Sequence, residues 1–229
     1  MARRSNLSWA LLVVILVGCA PGNTGLVIGN IVAPDDQGAY TVGNPALTRG
    51  TYDVSYGRGY FATFRVLNNL LDIGNDGTSG PPMANPNLIH VEQFYIETLD
   101  STSAPTSIGG LTSEYAVPAN SIVIPSSDGA TAGEALATAE IFPTGYLEAL
   151  RAAGDVTVVL SIQAVGRTSG DAVVISPEFT YPIDVCNGCL NVCARDEDGV
   201  QECRLSPTPG QDFVDYQCIG DVPPCVPGN

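Results

Sequence analysis

Short runs in which apolar and polar residues alternate dominate this chain, and each predicts a strand with one buried face. Gly25 to Val32 is the first. Tyr52 to Asn68 holds two strand-like pieces, split by Gly57-Arg58-Gly59. Ile89 to Leu99 begins by setting Ile89 and Val91 against His90 and Glu92. Ser121 to Ile124 is short and apolar, and Ala135 to Phe142 reads as a strand despite alanines, which strands disfavour. The clearest case is Val156 to Val165. Val158, Leu160, Ile162 and Ala164 share one face, with Thr157, Ser161 and Gln163 on the other. Val159 and Val165 interrupt that polar face and predict partial cover. After Arg167-Thr168-Ser169-Gly170 the chain is strand-like again, and from Glu178 the alternation is clean. Phe179, Tyr181, Ile183 and Val185 oppose Glu178, Thr180, Pro182 and Asp184. The two segments read as a hairpin. Pro182 has no N–H for a ladder, which predicts an edge strand.

One helix interrupts this series. Thr144 is placed to cap it, Tyr146, Leu147 and Leu150 fall at helical spacing, and Gly154 ends it. It reads as a short crossover between strands. Gly, Pro, Asn and Asp clusters punctuate the rest, including two long loops, Asp72 to Asn87 and Ser101 to Leu111. No βαβ alternation or internal repeat is present, so the pattern predicts an antiparallel β-sandwich with one short helix. The order of pieces, with the helix before Val156–Val165, resembles Ig-like and water-stress-type β-sandwich domains.

The first residues follow a different pattern. Arg3 and Arg4 precede an unbroken apolar run from Trp9 to Val17. That run is about half the ~20 residues a membrane-spanning helix needs, so it reads as the core of a secretory signal. Its end, Leu16-Val17-Gly18-Cys19, resembles the lipobox of bacterial lipoprotein signals. The resemblance implies cleavage before Cys19 and acylation of that cysteine with two or three chains, enough for stable anchoring. Ala20 follows the cysteine, and there is no Asp there. By analogy with bacterial sorting this implies the outer membrane, with the periplasmic or the surface face left open.

Cysteine parity agrees. Of seven cysteines, Cys19 is reserved for lipid. Six remain, Cys186, Cys189, Cys193, Cys203, Cys218 and Cys225, all near the C-terminus. An even set in an exported chain predicts disulfides. The junction Tyr181-Pro-Ile-Asp-Val-Cys186-Asn-Gly-Cys189, with Pro209-Gly210-Gln211-Asp212 and Cys218, resembles lipoproteins of the myxobacterial type. The expected organisation is a signal over 1–18, a lipid-anchored tether over 19–23, the sandwich over 24–184, and an irregular, disulfide-stapled tail over 185–229.

Charge limits the partners. The net charge of the chain is −15 with no lysine at all. Losing Arg3 and Arg4 with the signal takes −15 to about −17. Nucleic-acid binders need Lys and Arg to neutralise phosphates, so no nucleic-acid partner is expected. Membrane attachment must then come from the lipid on Cys19, with an envelope protein or a glycan as possible partner.

Candidate chemistry is sparse. Cys186-Asn-Gly-Cys189 has the spacing for thiol–disulfide exchange, but it follows a strand, and Asn187-Gly188 is a turn pair. Structural disulfides are the expected state. Cys186, Cys189, Cys193 and Cys203 could give zinc four thiolates, but only one Cys-x-x-Cys unit exists. Asp72-x-x-Asn75-Asp76-Gly77 has part of a calcium loop, with Gly74 and Met83 where ligands belong, and Asp196-Glu197-Asp198-Gly199 also lacks the spacing. His90 is the only histidine and alternates with apolar neighbours on a strand, and no Gly-x-Ser-x-Gly elbow occurs. Tyr52, Tyr56, Tyr60, Phe61 and Phe64 surround Gly57-Arg58-Gly59 and read as core packing before a recognition patch. No catalytic residue, metal or cofactor is assigned. The expectation is a non-enzymatic binding or structural lipoprotein of the envelope. The alternative is an envelope enzyme, either a thiol oxidoreductase using Cys186 and Cys189 or a hydrolase using loop carboxylates.

Overall fold

The computed structural model describes residues 25–35, 38–72, 85–100, 102–125, 131–195 and 201–205, the stretches 191–195 and 201–205 by backbone alone. The signal, Cys19 and the tether lie outside the described residues, as do Asn75-Asp76-Gly77, Asp196 to Gly199, Pro209 to Asp212, Cys218 and Cys225.

The chain is mainly β. In order it forms β1 (Leu26–Val32), β2 (Ala46–Leu47), β3 (Gly50–Asp53), β4 (Tyr60–Asn68), β5 (Ile89–Leu99), β6 (Glu114–Val123) and β7 (Gly133–Phe142). Then follow α1 (Leu147–Ala153), β8 (Val156–Thr168), β9 (Val173–Ile175), β10 (Phe179–Cys186), β11 (Asn191–Arg195) and β12 (Gln201–Leu205). One sheet has the order β2-β1-β4-β7. The other runs β3-β10-β8-β5-β6, with β9 also pairing β8. Among the described residues all strand pairs are antiparallel except β3 with β10. The inner faces of both sheets merge in one apolar core, and Phe64 of β4 meets Phe94 of β5 across it, ring centroids 4.2 Å apart. This is a β-sandwich, the architecture the alternation predicts.

The predicted inner faces are the buried ones. Val158, Leu160, Ile162 and Ala164 point into the core, as do Tyr181, Ile183 and Val185. In β5 the apolar parity changes midway: Ile89 and Val91 are followed by Phe94 and Ile96. A bulge between Val91 and Gln93 absorbs the extra residue against both neighbouring strands. It turns Glu92 and Gln93 outward together and keeps both halves of the strand's apolar face on the core.

Four expectations are corrected. Strand β6 is ten residues long, whereas only Ser121 to Ile124 reads as strand in the sequence. Its first part, around Ala116-Val117-Pro118-Ala119, carries few strand-forming side chains. Pro118 is tolerated because β6 borders its sheet and Pro118 pairs with Gln93 at the bulge. Two hydroxyls then tie β6 to β7 of the other sheet. Tyr115 Oη donates to the Ile141 carbonyl at 2.6 Å and Ser121 Oγ to the Leu136 carbonyl at 2.7 Å.

Second, β10 is not an edge strand: it lies between β3 and β8. The parallel pairing with β3 begins at Ile183, one residue after Pro182, so the proline sits where that ladder has not started. Third, Thr144 does not cap α1. It opens a 3-10 turn (Thr144–Tyr146) after Pro143, and α1 continues from that turn without a side-chain cap. Gly154 ends the helix as expected, at φ 74°. Fourth, the tail is not wholly irregular. Strands β11 and β12 form a ribbon that joins neither main sheet. Strand β10 itself runs to Cys186.

Candidate functional site

The sandwich and the Cys-rich tail meet at the ends of two strands. Parallel pairing of β3 with β10 sets Asp53 opposite Cys186. The chain then turns through Asn187-Gly188, with Gly188 at φ 84°, a backbone conformation that glycine adopts without penalty. The turn brings Cys189 back to Cys186, and the two form a disulfide with a Cα–Cα distance of 5.9 Å. Cys186 is buried and Cys189 is exposed.

Asp53 organises this junction. It is fully buried. Its Oδ1 accepts from the Ser55 N–H at 2.9 Å, starting a 3-10 turn, and from the Gly188 N–H at 2.7 Å. Its Oδ2 accepts from the Leu190 N–H at 2.9 Å. A buried carboxylate is tolerable only when its oxygens are satisfied, and three backbone donors do that here. The disulfide-closed turn and the side chain of Leu190, itself buried, are thereby tied to the sandwich.

Asp53 Oδ and the two sulfurs lie within 4.8 Å of one another, a donor set of a kind that can hold a metal. In the oxidised state the sulfurs are not thiolates, and both carboxylate oxygens already accept N–H bonds. Thiol exchange is poorly supported as well. A reactive Cys-x-x-Cys needs a lowered thiol pKa, usually from a helix N-terminus or a nearby cation. Here Cys186 ends a strand, the turn after it is Asn187-Gly188, and the Asp53 carboxylate lies beside the pair.

The other candidate residues are dispersed. His90 is exposed on the outer face of β5, between register partners Ile122 and Arg167, and among the described residues its ring has no hydrogen-bond partner. Asp72 Oδ1 accepts from Asn85 Nδ2 at 2.6 Å, and the remainder of its calcium-like motif lies outside the described residues. Cys193 and Cys203 are register partners in the β11–β12 ribbon. Of the aromatic group, Tyr52, Tyr60 and Phe64 are fully buried, while Phe61 is 40% exposed. Tyr52 stacks on Phe142 at 5.8 Å and contacts Tyr60 at 5.5 Å, so packing accounts for these residues.

Tyr52 flanks Asp53 and has its own electrostatic consequence. Its hydroxyl donates to the Arg58 carbonyl. Burial, then the Glu140 carboxylate, push its pKa up to about 12, against an opposite pull from Arg151. Burial raises Tyr115 as well, and Tyr146 beside it. Unfolded phenols titrate near ~10. Above that pH the unfolded chain releases protons that the folded chain keeps. Stability is therefore whole below ~10 and declines as the pH rises toward 12. In an alkaline titration followed by phenolate absorbance, the buried tyrosines are expected to ionise only as circular dichroism reports loss of the fold. All nine tyrosines ionising together near ~10 with the fold intact would contradict this.

Sequence reading singles out the Cys186-Asn-Gly-Cys189 motif and expects disulfides without fixing their pairing, and it misses Asp53. The one local signal is the order Asp53-Val54-Ser55, an aspartate two residues before a free N–H, as at helix starts. Nothing local points to Gly188, 135 residues away. No protein family, curated protein or solved structure matches the chain.

Proposed function

We propose that this protein is an exported lipoprotein, anchored in the bacterial envelope through Cys19, whose β-sandwich is a binding or structural module and not an enzyme. The observation that carries the reading is the segment Arg3 to Cys19: a basic start, a nine-residue apolar run from Trp9 to Val17, and Leu16-Val17-Gly18-Cys19 at its end. The Cys186–Cys189 disulfide supports it, because such bonds persist in oxidising compartments. Strong negative charge fits attachment by lipid in preference to a basic surface. The sorting analogy from Ala20 favours the outer membrane, and an envelope protein or a glycan remains the partner class. The place of the pair in a turn at the end of β10, with β11 rather than a helix following it, weighs against the oxidoreductase alternative.

The test is fractionation of Cys19→Ser in the native envelope. The wild-type protein is expected in the membrane fraction, cut before Cys19 and labelled by a fatty-acid probe. The variant is expected as an uncut precursor or in the soluble fraction, without label. A correctly cut Cys19→Ser product that still sediments with membranes would overturn the proposal.

A further inference from the structure

The β11–β12 ribbon belongs to neither main sheet, and Cys193 of one strand lies directly opposite Cys203 of the other. We infer that Cys193 and Cys203 form a cross-strand disulfide that closes this ribbon as a second covalent loop, next to the Cys186–Cys189 turn. Three observations carry the assignment.

The first is distance. Directly opposed residues of an antiparallel pair share a face and have Cα atoms about 4.5–5.5 Å apart. A disulfide spans Cα distances of about 4.4–6.8 Å. Register alone therefore places the two Cα atoms within the range a disulfide spans.

The second is the ribbon itself. An isolated two-stranded ribbon is marginal in water. This one reads Asn-Val-Cys-Ala-Arg against Gln-Glu-Cys-Arg-Leu, with few apolar residues to bury. A covalent cross-link at its central pair supplies what packing does not, by removing loop-closure freedom from the open chain.

The third is parity. Six cysteines allow fifteen pairings. Cys186 and Cys189 are already joined. Four cysteines then allow three pairings, and the one that uses the register partners Cys193 and Cys203 leaves Cys218 and Cys225 for each other, so no thiol is stranded.

Closure is an oxidation. Two thiols lose two protons and two electrons as one S–S bond forms. The electrons pass to an oxidised dithiol protein of the envelope, whose own disulfide is reduced to two thiols. This step rests on the export proposed above, and the test separates the two.

The arginines make the test direct. Trypsin cuts after Arg167, Arg195 and Arg204. Peptide 168–195 then holds Cys186, Cys189 and Cys193, peptide 196–204 holds Cys203, and peptide 205–229 holds Cys218 and Cys225. The mature protein is purified from the envelope without reductant, its free thiols are alkylated under denaturing conditions, and it is digested unreduced. Peptides 168–195 and 196–204 are expected as one linked species, with 205–229 separate and unalkylated. Fragmentation of the linked species is expected to place the bond at Cys193. Three results overturn the pairing: Cys203 joined to Cys186 or Cys189, Cys203 joined to 205–229, or alkylated Cys193 and Cys203 beside an intact Cys186–Cys189. Alkylation of all six would overturn both the pairing and the oxidising compartment on which it rests.

Discussion

Replacing Asp53 by alanine is expected to destabilise the protein by about 3–5 kcal/mol, at the upper end for a single substitution. The carboxylate is fully buried and accepts from the N–H groups of Ser55, Gly188 and Leu190. Each bond to a charged acceptor contributes roughly 1.5–3 kcal/mol, and a buried donor left without a partner costs about 1–3 kcal/mol. The three losses do not simply add, since the freed turn at Gly188 can move toward water. For a domain whose whole stability is about 5–15 kcal/mol, this is a large fraction. Asp53→Asn is expected to cost less. Its amide oxygen can still accept at the Oδ1 position, while its NH2 group would face the Leu190 N–H, donor against donor. Urea unfolding measures both. A second readout is specific to the junction: Asp53→Ala should speed reduction of Cys186–Cys189 by a small dithiol, because the turn is no longer held. A loss below about 1 kcal/mol with an unchanged reduction rate would remove Asp53 from the role assigned to it.

Phe94→Ala is expected to cost a similar amount, about 3–5 kcal/mol, through lost burial and the cavity left behind. Phe94 is fully buried on β5 and lies against Phe64 on the opposing sheet, centroids 4.2 Å apart at a tilted angle. The pair bridges the two layers, so truncation removes contacts from both. Phe61→Ala is the control, because Phe61 is an aromatic residue of β4 that is 40% exposed. It is expected to stay within about 1 kcal/mol of the native protein. Denaturant midpoints for the two variants decide the matter. Equal losses would mean that the cross-sheet contact has no special weight.

The candidate site divides cleanly by range. The Cys-x-x-Cys turn is legible because its parts are three residues apart and Asn187-Gly188 is a turn pair. Its anchor is not legible, because Asp53 reaches Gly188 and Leu190 only through the parallel pairing of β3 with β10. An aspartate beside a serine has the same local chemistry whether it caps an exposed turn or lies buried under a disulfide.

Alternation along the chain by itself determined which residues face inward in β8 and β10, where β1, β4, β5, β7, β8 and β10 run, and that the architecture is a sandwich. It coincides with β5 from Ile89 to Leu99 and finds the helix ending at Gly154. These are local properties: a strand places successive side chains on opposite faces, so the apolar set is written in the sequence. Tertiary structure alone decided how those faces were put to use. It extended β6 through Pro118 because an outer strand at a bulge can spare an N–H. It placed β10 inside its sheet, where β3 pairs only from Ile183. It shifted β5 by one residue at Glu92, the parity break in the sequence that only two neighbouring ladders turn into a bulge. It set Cys193 opposite Cys203. The physical reason is common to all four. Burial of one face is encoded residue by residue, whereas a hydrogen-bond partner is chosen by strands far away in the chain.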